Sequence, residues 1–178
     1  MERFIIREFR PKDLESVIVI NRVCLPENYS PDFFMEHHWE NPKIFLVAEV
    51  DDKVVGYNMC RIEFGVSNLK REFVRKGHVI SIAVMEGYRG LGIGFRLMEQ
   101  GMKNVRESGA TEIYLEVRQS NIPAIQLYRK LGFKAVRVLE GYYRDGENAY
   151  MMVASLVGKD EKLAGDHDLS LDGRRILR

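Results

Sequence analysis

Hydrophobic and polar residues change rhythm several times along this chain, and each change marks an element. Residues 4–9 alternate, as a half-buried strand does. Pro11 suits the first position of a helix, and Leu14, Val17, Ile18 and Leu25 continue a helical stripe. Residues 25–29 interrupt it as a loop, and Ser30-Pro31 can cap a short helix over 32–39. Two apolar runs, 44–50 and 54–64, flank Asp51-Asp52 and predict a hairpin with a tight acidic turn. Residues 65–76 read as a polar, basic loop. The near-continuous apolar run 79–84 predicts a strand covered on both faces. Met98, Met102 and Val105 give the apolar stripe of a helix over 91–107.

Residues 112–118 form the next predicted strand, with Ile113, Leu115 and Val117 on one face and Tyr114, Glu116 and Arg118 on the other. A short helix follows over 121–131, with Pro123 near its start and Gly132 as its stop. Strands over 133–139 and 150–156 close the pattern, joined by the aromatic loop 141–146. Residues 159–178 are charged and weakly periodic, and read as a surface tail. The order β-α-α-β-β-β-α-β-α-β-β predicts an α/β (α+β) layer fold: a mixed sheet with helices on both faces.

Chemistry enters at Arg89-Gly90-Leu91-Gly92-Ile93-Gly94, where a strand feeds glycines into a helix N-terminus. Free N–H groups and the positive end of the helix dipole there make a phosphate cradle, and glycine lets the anion approach the backbone. The P-loop pattern fails, because Gly94 is followed by Phe95 and Arg96 rather than Lys and Ser/Thr. The dinucleotide fingerprint also fits poorly: Glu116 sits within its strand, and about half of the chain precedes the glycines.

With 178 residues the chain suits one domain with a real core. A formal net charge of +1 argues against a general nucleic-acid binder. Cys24 and Cys60 make no disulfide framework and read as reduced and buried, with a catalytic thiol the lesser reading. The charged N-terminus and the lack of a long apolar run predict a cytoplasmic protein without membrane contact. His37-His38 tempts a metal reading, but adjacent helical residues diverge, so both are expected at the surface and no metal is expected.

Four segments then occur in order: LPENY (25–29), RKGHVISIAVMEGYRGLGIG (75–94), IYLEVRQSNIPAIQLYRKLGF (113–133) and GYYRDGENAY (141–150). Together they resemble protein N-terminal acetyltransferases of the GNAT family, most closely the archaeal enzymes related to the NatA catalytic subunit. The resemblance covers about residues 1–157 and implies one GNAT domain, 1–157, with a mostly antiparallel sheet of about seven strands; 158–178 is a tail outside it. The implied reaction moves acetyl from acetyl-CoA directly to the α-amine of a protein N-terminus. The implied partners are protein N-termini, nascent chains at the ribosome included, and the enzyme would be a monomer or small homo-oligomer. Other readings are a GNAT enzyme for small amines or lysine side chains, and a non-catalytic CoA-binding module.

Acetyl transfer needs a held donor, a neutral amine, a stabilised oxyanion and a proton for the leaving thiolate. Backbone N–H groups of Leu91, Gly92, Ile93 and Gly94 are the expected pyrophosphate cradle, with Gly90 in the turn and Arg89 at its rim. The resemblance implies that the backbone of Ile82, Ala83 and Val84 pairs with the pantetheine arm, and that Asn121 and Tyr128 complete the donor site. Gly90 departs from the basic residue that such relatives often carry. A helix cap is the other role open to Asn121.

An N-terminal amine titrates near ~7.7–8.0, so a modest base suffices to deprotonate it. Glu116, a carboxylate in an otherwise apolar strand, is a candidate base, or else a partner of Arg118. His78, at the start of the neighbouring strand, is a second candidate or a structural histidine. The resemblance places this pair around an ordered water and puts Glu27 beside the substrate N-terminus. Tyr128 would donate to the leaving thiolate, if it is not simply a core aromatic. The oxyanion would meet a strand N–H near Val84. Tyr29, Tyr142 and Tyr143 are the expected walls of a peptide slot, braced by Arg118.

Overall fold

The computed structural model describes residues 4–158. The charged tail predicted beyond Gly158 lies outside the described residues.

The alternating segments become strands β1 (Phe4–Glu8), β2 (Phe45–Val50) and β3 (Lys53–Val66), and the apolar run becomes part of β4 (Phe73–Val84). β5 (Glu112–Arg118), β6 (Lys134–Leu139) and β7 (Ala149–Ser155) complete one sheet in the order β1-β2-β3-β4-β5-β7-β6. All neighbours are antiparallel except β4 and β5. Four helices connect them: α1 (Leu14–Cys24), α2 (Pro31–Glu40), α3 (Ile93–Glu107) and α4 (Ile122–Lys130). The mixed, mostly antiparallel seven-stranded sheet is the one the sequence predicted.

Neighbouring residues of β3 show how the layers stack. The Tyr57 hydroxyl accepts from Asn21 of α1 at 3.0 Å, while Asn58 donates to the Leu97 carbonyl of α3 at 3.2 Å. Side chains alternate across a strand, so α1 and α3 cover opposite faces. Val17, Ile20 and Phe34 pack with Phe45, Val47 and Tyr57 on one face. Met98, Val105 and Ile125 pack with Ile113, Leu115 and Met152 on the other. Gly77 lets α3 lie close on β4, since a Cβ there would stand 2.4 Å from Val105 Cγ1.

Four expectations change. Residues 65–76 are not a free loop: β3 and β4 pair as far as Val66 opposite Phe73, and only 67–72 cross between them. Polar side chains hid the ladder, but backbone pairing does not depend on them, and Phe64 and Phe73 meet side by side at 5.9 Å. The buried Glu112 carboxylate anchors the crossing by accepting from Ser67 Oγ at 2.5 Å and Asn68 N at 2.7 Å. His78 therefore stands in mid-strand rather than at a strand start. His37 is no surface residue: it is 5 % exposed, with Nδ1 2.8 Å from the Phe33 carbonyl oxygen and its ring against Phe33. α3 also begins at Ile93 rather than at Leu91.

Candidate active site

The site follows from where two strands part. β4 and β5 pair over only three positions, Lys76 with Glu112, Gly77 with Ile113 and His78 with Tyr114. Beyond them the strands separate, so among the described residues no strand pairs with that edge of 79–84. A bulge lies at the same place: Met59 faces Ser81 and Cys60 faces Val79, which leaves Ile80 unmatched.

Two clefts occupy the gap. The larger, about 700 Å³, runs from Ile82, Ala83 and Val84 to Gly90, Gly92 and Gly94. Gly90 and Gly92 have φ of +78° and +83°, which a side chain would strain. Gly92 caps α3 without a side-chain oxygen, so the first N–H groups of the helix remain open to an anion. Arg89 donates from Nε to the Val84 carbonyl at 2.9 Å. Leu91 does not line this cleft.

The smaller cleft, about 350 Å³, is walled by Glu27, Tyr29, Glu116, Arg118, Tyr142 and Tyr143. The two clefts share Cys24, Leu25, Ile82, Asn121 and Tyr128. Asn121 also caps α4, accepting from Ala124 N at 3.3 Å, so capping and cleft lining coexist. Tyr128 is 7 % exposed, and burial pushes its phenol up to about 12. Burial, then the charges of Glu27 and Glu116, also raises Tyr29 and Tyr142, which keeps these walls neutral.

His78 Nε2 lies 2.7 Å from Glu116 Oε2, a direct contact where the sequence suggested a pair around water. Arg118, the alternative partner for Glu116, instead meets Glu27 at 3.3 Å and Asp145 and Glu147 at 2.8 Å. Its guanidinium lies 3.9 Å from the centre of the Tyr143 ring. It thus ties the 25–29 loop to the 141–147 loop across the cleft mouth.

Comparison with known proteins follows the same lines. A model of the Acetyltransferase (GNAT) family matches residues 14–133. The chain belongs to the GNAT acetyltransferase family. It is 58 % identical over 154 residues to an N-alpha-acetyltransferase of Sulfurisphaera tokodaii, covering 85 % of this chain and 92 % of that one. Among solved structures, Ard1 from Thermoplasma volcanium superposes with a TM-score of 0.75 at 34 % identity, covering 87 % of this chain and 99 % of the other. Chaetomium thermophilum Naa20 with a bisubstrate analogue gives 0.77 at 28 % identity, covering 93 % and 94 %. The chain is therefore an acetyltransferase, and the acetyl donor of its family is acetyl-CoA.

Sequence reasoning missed three side chains at this GNAT site. Glu63 of β3 accepts from the Tyr114 hydroxyl at 2.6 Å and lies 3.3 Å from His78 Nδ1. Asn21 of α1 donates to the Glu27 carbonyl at 3.1 Å and accepts from Tyr29 N at 3.2 Å, holding the loop beside the cleft. For Tyr114 the signal was visible, since it shares the polar face of its strand with Glu116. Cys60 is buried as expected, with its thiol pushed up to about 12 by burial, whereas Cys24 is only half-buried, with Sγ 3.6 Å from the Val84 carbonyl. Among the described residues no three His, Cys, Asp or Glu side chains cluster to hold a metal ion, and no helix is long and apolar enough to cross a membrane.

Proposed function

We propose that this enzyme acetylates the α-amine of protein N-termini by direct transfer from acetyl-CoA in a ternary complex. The observation that carries the reading is the junction of the two clefts at Tyr128, Asn121 and Ile82, with Glu116 on the wall of one and the α3 N-terminus on the other. The relative named N-alpha-acetyltransferase and the bisubstrate-bound Naa20 neighbour support it.

In this reading the pyrophosphate sits at the N–H groups of Gly92, Ile93 and Gly94, beside Arg89. The pantetheine arm lies along the open edge of Ile82, Ala83 and Val84, as an added strand would. The peptide enters past Tyr29, Tyr142 and Tyr143, and its terminal nitrogen meets the thioester at the junction. The amine attacks the carbonyl carbon, the C–N bond forms, and a β4 N–H near Val84 receives the oxyanion. Glu116 and His78 take the proton from the amine, directly or through one water. As the C–S bond breaks, Tyr128 donates to the CoA thiolate. Glu27, across the mouth, orients the cationic amine before it loses its proton. Protein N-termini, including those of nascent chains at the ribosome, are the matching macromolecular substrate.

A panel of peptides with free α-amines, set beside the same peptides blocked at the N-terminus, decides the substrate class. Acetylation of the free set alone is expected. Turnover of lysines in the blocked set, or of small amines only, would transfer the reading to those substrates. Glu116→Ala and His78→Ala should each lower kcat by about 100-fold while acetyl-CoA still binds; unchanged turnover in both would remove them as the base.

A further inference from the structure

β3 and β4 run on past the sheet that holds them. β2 reaches along β3 only to Met59, and β5 reaches along β4 only to Lys76. Among the described residues, 60–66 pair only with β4, and 73–75 only with β3. A two-stranded ribbon is marginally stable in water by itself. This arm is pinned at its end, where Ser67 and Asn68 donate to the buried Glu112 carboxylate. It nevertheless leaves Phe64 76 %, Phe73 69 % and Val66 57 % exposed. Phe64 stands opposite Arg75 and Val66 opposite Phe73, so the four share one face of the arm. Ile62 and Gly77, further along that face, pack on the α3 side. Glu63 is on the opposite face, beside His78, so the aromatic face turns away from the proposed base.

The arm also concentrates positive charge. Residues 65–76 carry Lys70, Arg71, Arg75 and Lys76 against Glu72 alone, in a chain whose net charge is +1. Lys70 meets Glu72 at 3.8 Å. Arg75 and Lys76 donate to the carbonyls of Ser108 and Val66, neutral groups that leave both charges uncancelled. Arg71 is exposed in the crossing. We propose that the β3–β4 arm docks on single-stranded RNA exposed at the surface of the ribosome. Unpaired bases offer flat faces to Phe64 and Phe73, whose rings lie 5.9 Å apart at 31°, while the phosphates meet Arg71 and Arg75. An acidic peptide would satisfy the cations and leave the ring faces bare. The choice of the ribosome rests on the reading of nascent N-termini as substrate, because it is there that they emerge. Docking through the α3-side face would leave the peptide slot open to them.

Fluorescence anisotropy of the full chain with a short labelled RNA of mixed sequence tests the surface. Wild-type protein should bind the single strand more tightly than the same RNA as a duplex, and less tightly as salt rises. The double variant Phe64→Ser, Phe73→Ser should bind about tenfold or more weakly while its turnover of a free peptide stays at the wild-type rate. Arg71→Gln, which leaves the ring faces alone, should lower the slope of log affinity against log salt by about 0.7. Co-sedimentation with ribosomes should follow the same order of variants. Wild-type protein that fails to bind the single strand overturns the inference, and so do variants that bind it as wild type does. Binding to anionic phosphatidylserine vesicles without binding to RNA would give the face to a membrane and overturn it too. RNA binding without co-sedimentation would overturn the ribosomal assignment. Failure to acetylate any free-amine peptide would end the N-terminal reading instead, with anisotropy still deciding whether the arm binds RNA.

Discussion

Tyr128 touches both clefts, and its proposed use as a proton donor depends on keeping its proton. Burial pushes the phenol from its ordinary value near ~10 up to about 12. The sign is clear: the donor form is complete below that value and is lost only as pH rises through it. Activity should therefore show no fall on the alkaline side below about pH 10 from this group. Tyr128→Phe should lower kcat by about tenfold or more with acetyl-CoA binding retained, and a full-rate variant would assign the leaving-group proton to water. The residue was legible through the family resemblance, which puts a tyrosine on the helix after the Glu116 strand; helical spacing alone set it on an apolar face with Leu127 and Leu131. Glu63 was not legible. Its neighbours alternate like those of any half-exposed strand, and only the register of β3 on β4 brings it to His78.

At the scale of elements, the 25–29 loop is fixed from behind. Asn21 spans its Glu27 carbonyl and Tyr29 N–H, and also donates to the Tyr57 hydroxyl, which lies 2.6 Å from Ser81 Oγ on β4. Asn21→Ala leaves the loop N–H and carbonyl without these partners and should raise the KM for peptide several-fold while sparing that for acetyl-CoA. Equal effects on both substrates would mean that the chain of contacts serves the fold rather than the slot. The β4–α3 contact makes a separate prediction. Gly77→Ala drives a methyl to within 2.4 Å of Val105 and 3.3 Å of Ile113, and thermal or denaturant unfolding should register a loss of about 1–3 kcal/mol. The acidic hairpin turn was readable because Asp51 and Asp52 tolerate positive φ, and they adopt +46° and +61°. The longer β3–β4 hairpin was not, because its ladder is made by backbone groups under charged side chains.

For the molecule as a whole, the proposed direct transfer where the clefts meet requires donor and acceptor to be present together. Initial-rate plots over both substrates should intersect rather than run parallel. Cys24 stands at the junction, yet among the described residues its sulfur hydrogen-bonds the Val84 carbonyl and, at 3.9 Å, Met85 Sδ, neither of which is a base for the thiol. Cys24→Ala should keep its turnover, and an acetyl group trapped on that thiol would overturn direct transfer. The fold class was legible from chain order and rhythm. The open edge of β4 was legible only through the resemblance, which gave the backbone of 82–84 to the pantetheine arm; the apolar run 79–84 itself looks alike whether a neighbour pairs with it or not.

That parting has a consequence for how the protein keeps company with others. An unpaired strand edge normally invites a second sheet to dock and seeds aggregation. Here the bare edge is sunk between walls built by α1, α4 and the tyrosines. A slender extended chain can slip in, but the flank of another folded protein is too broad to follow. The recess thus keeps this bare line of backbone from meeting its like.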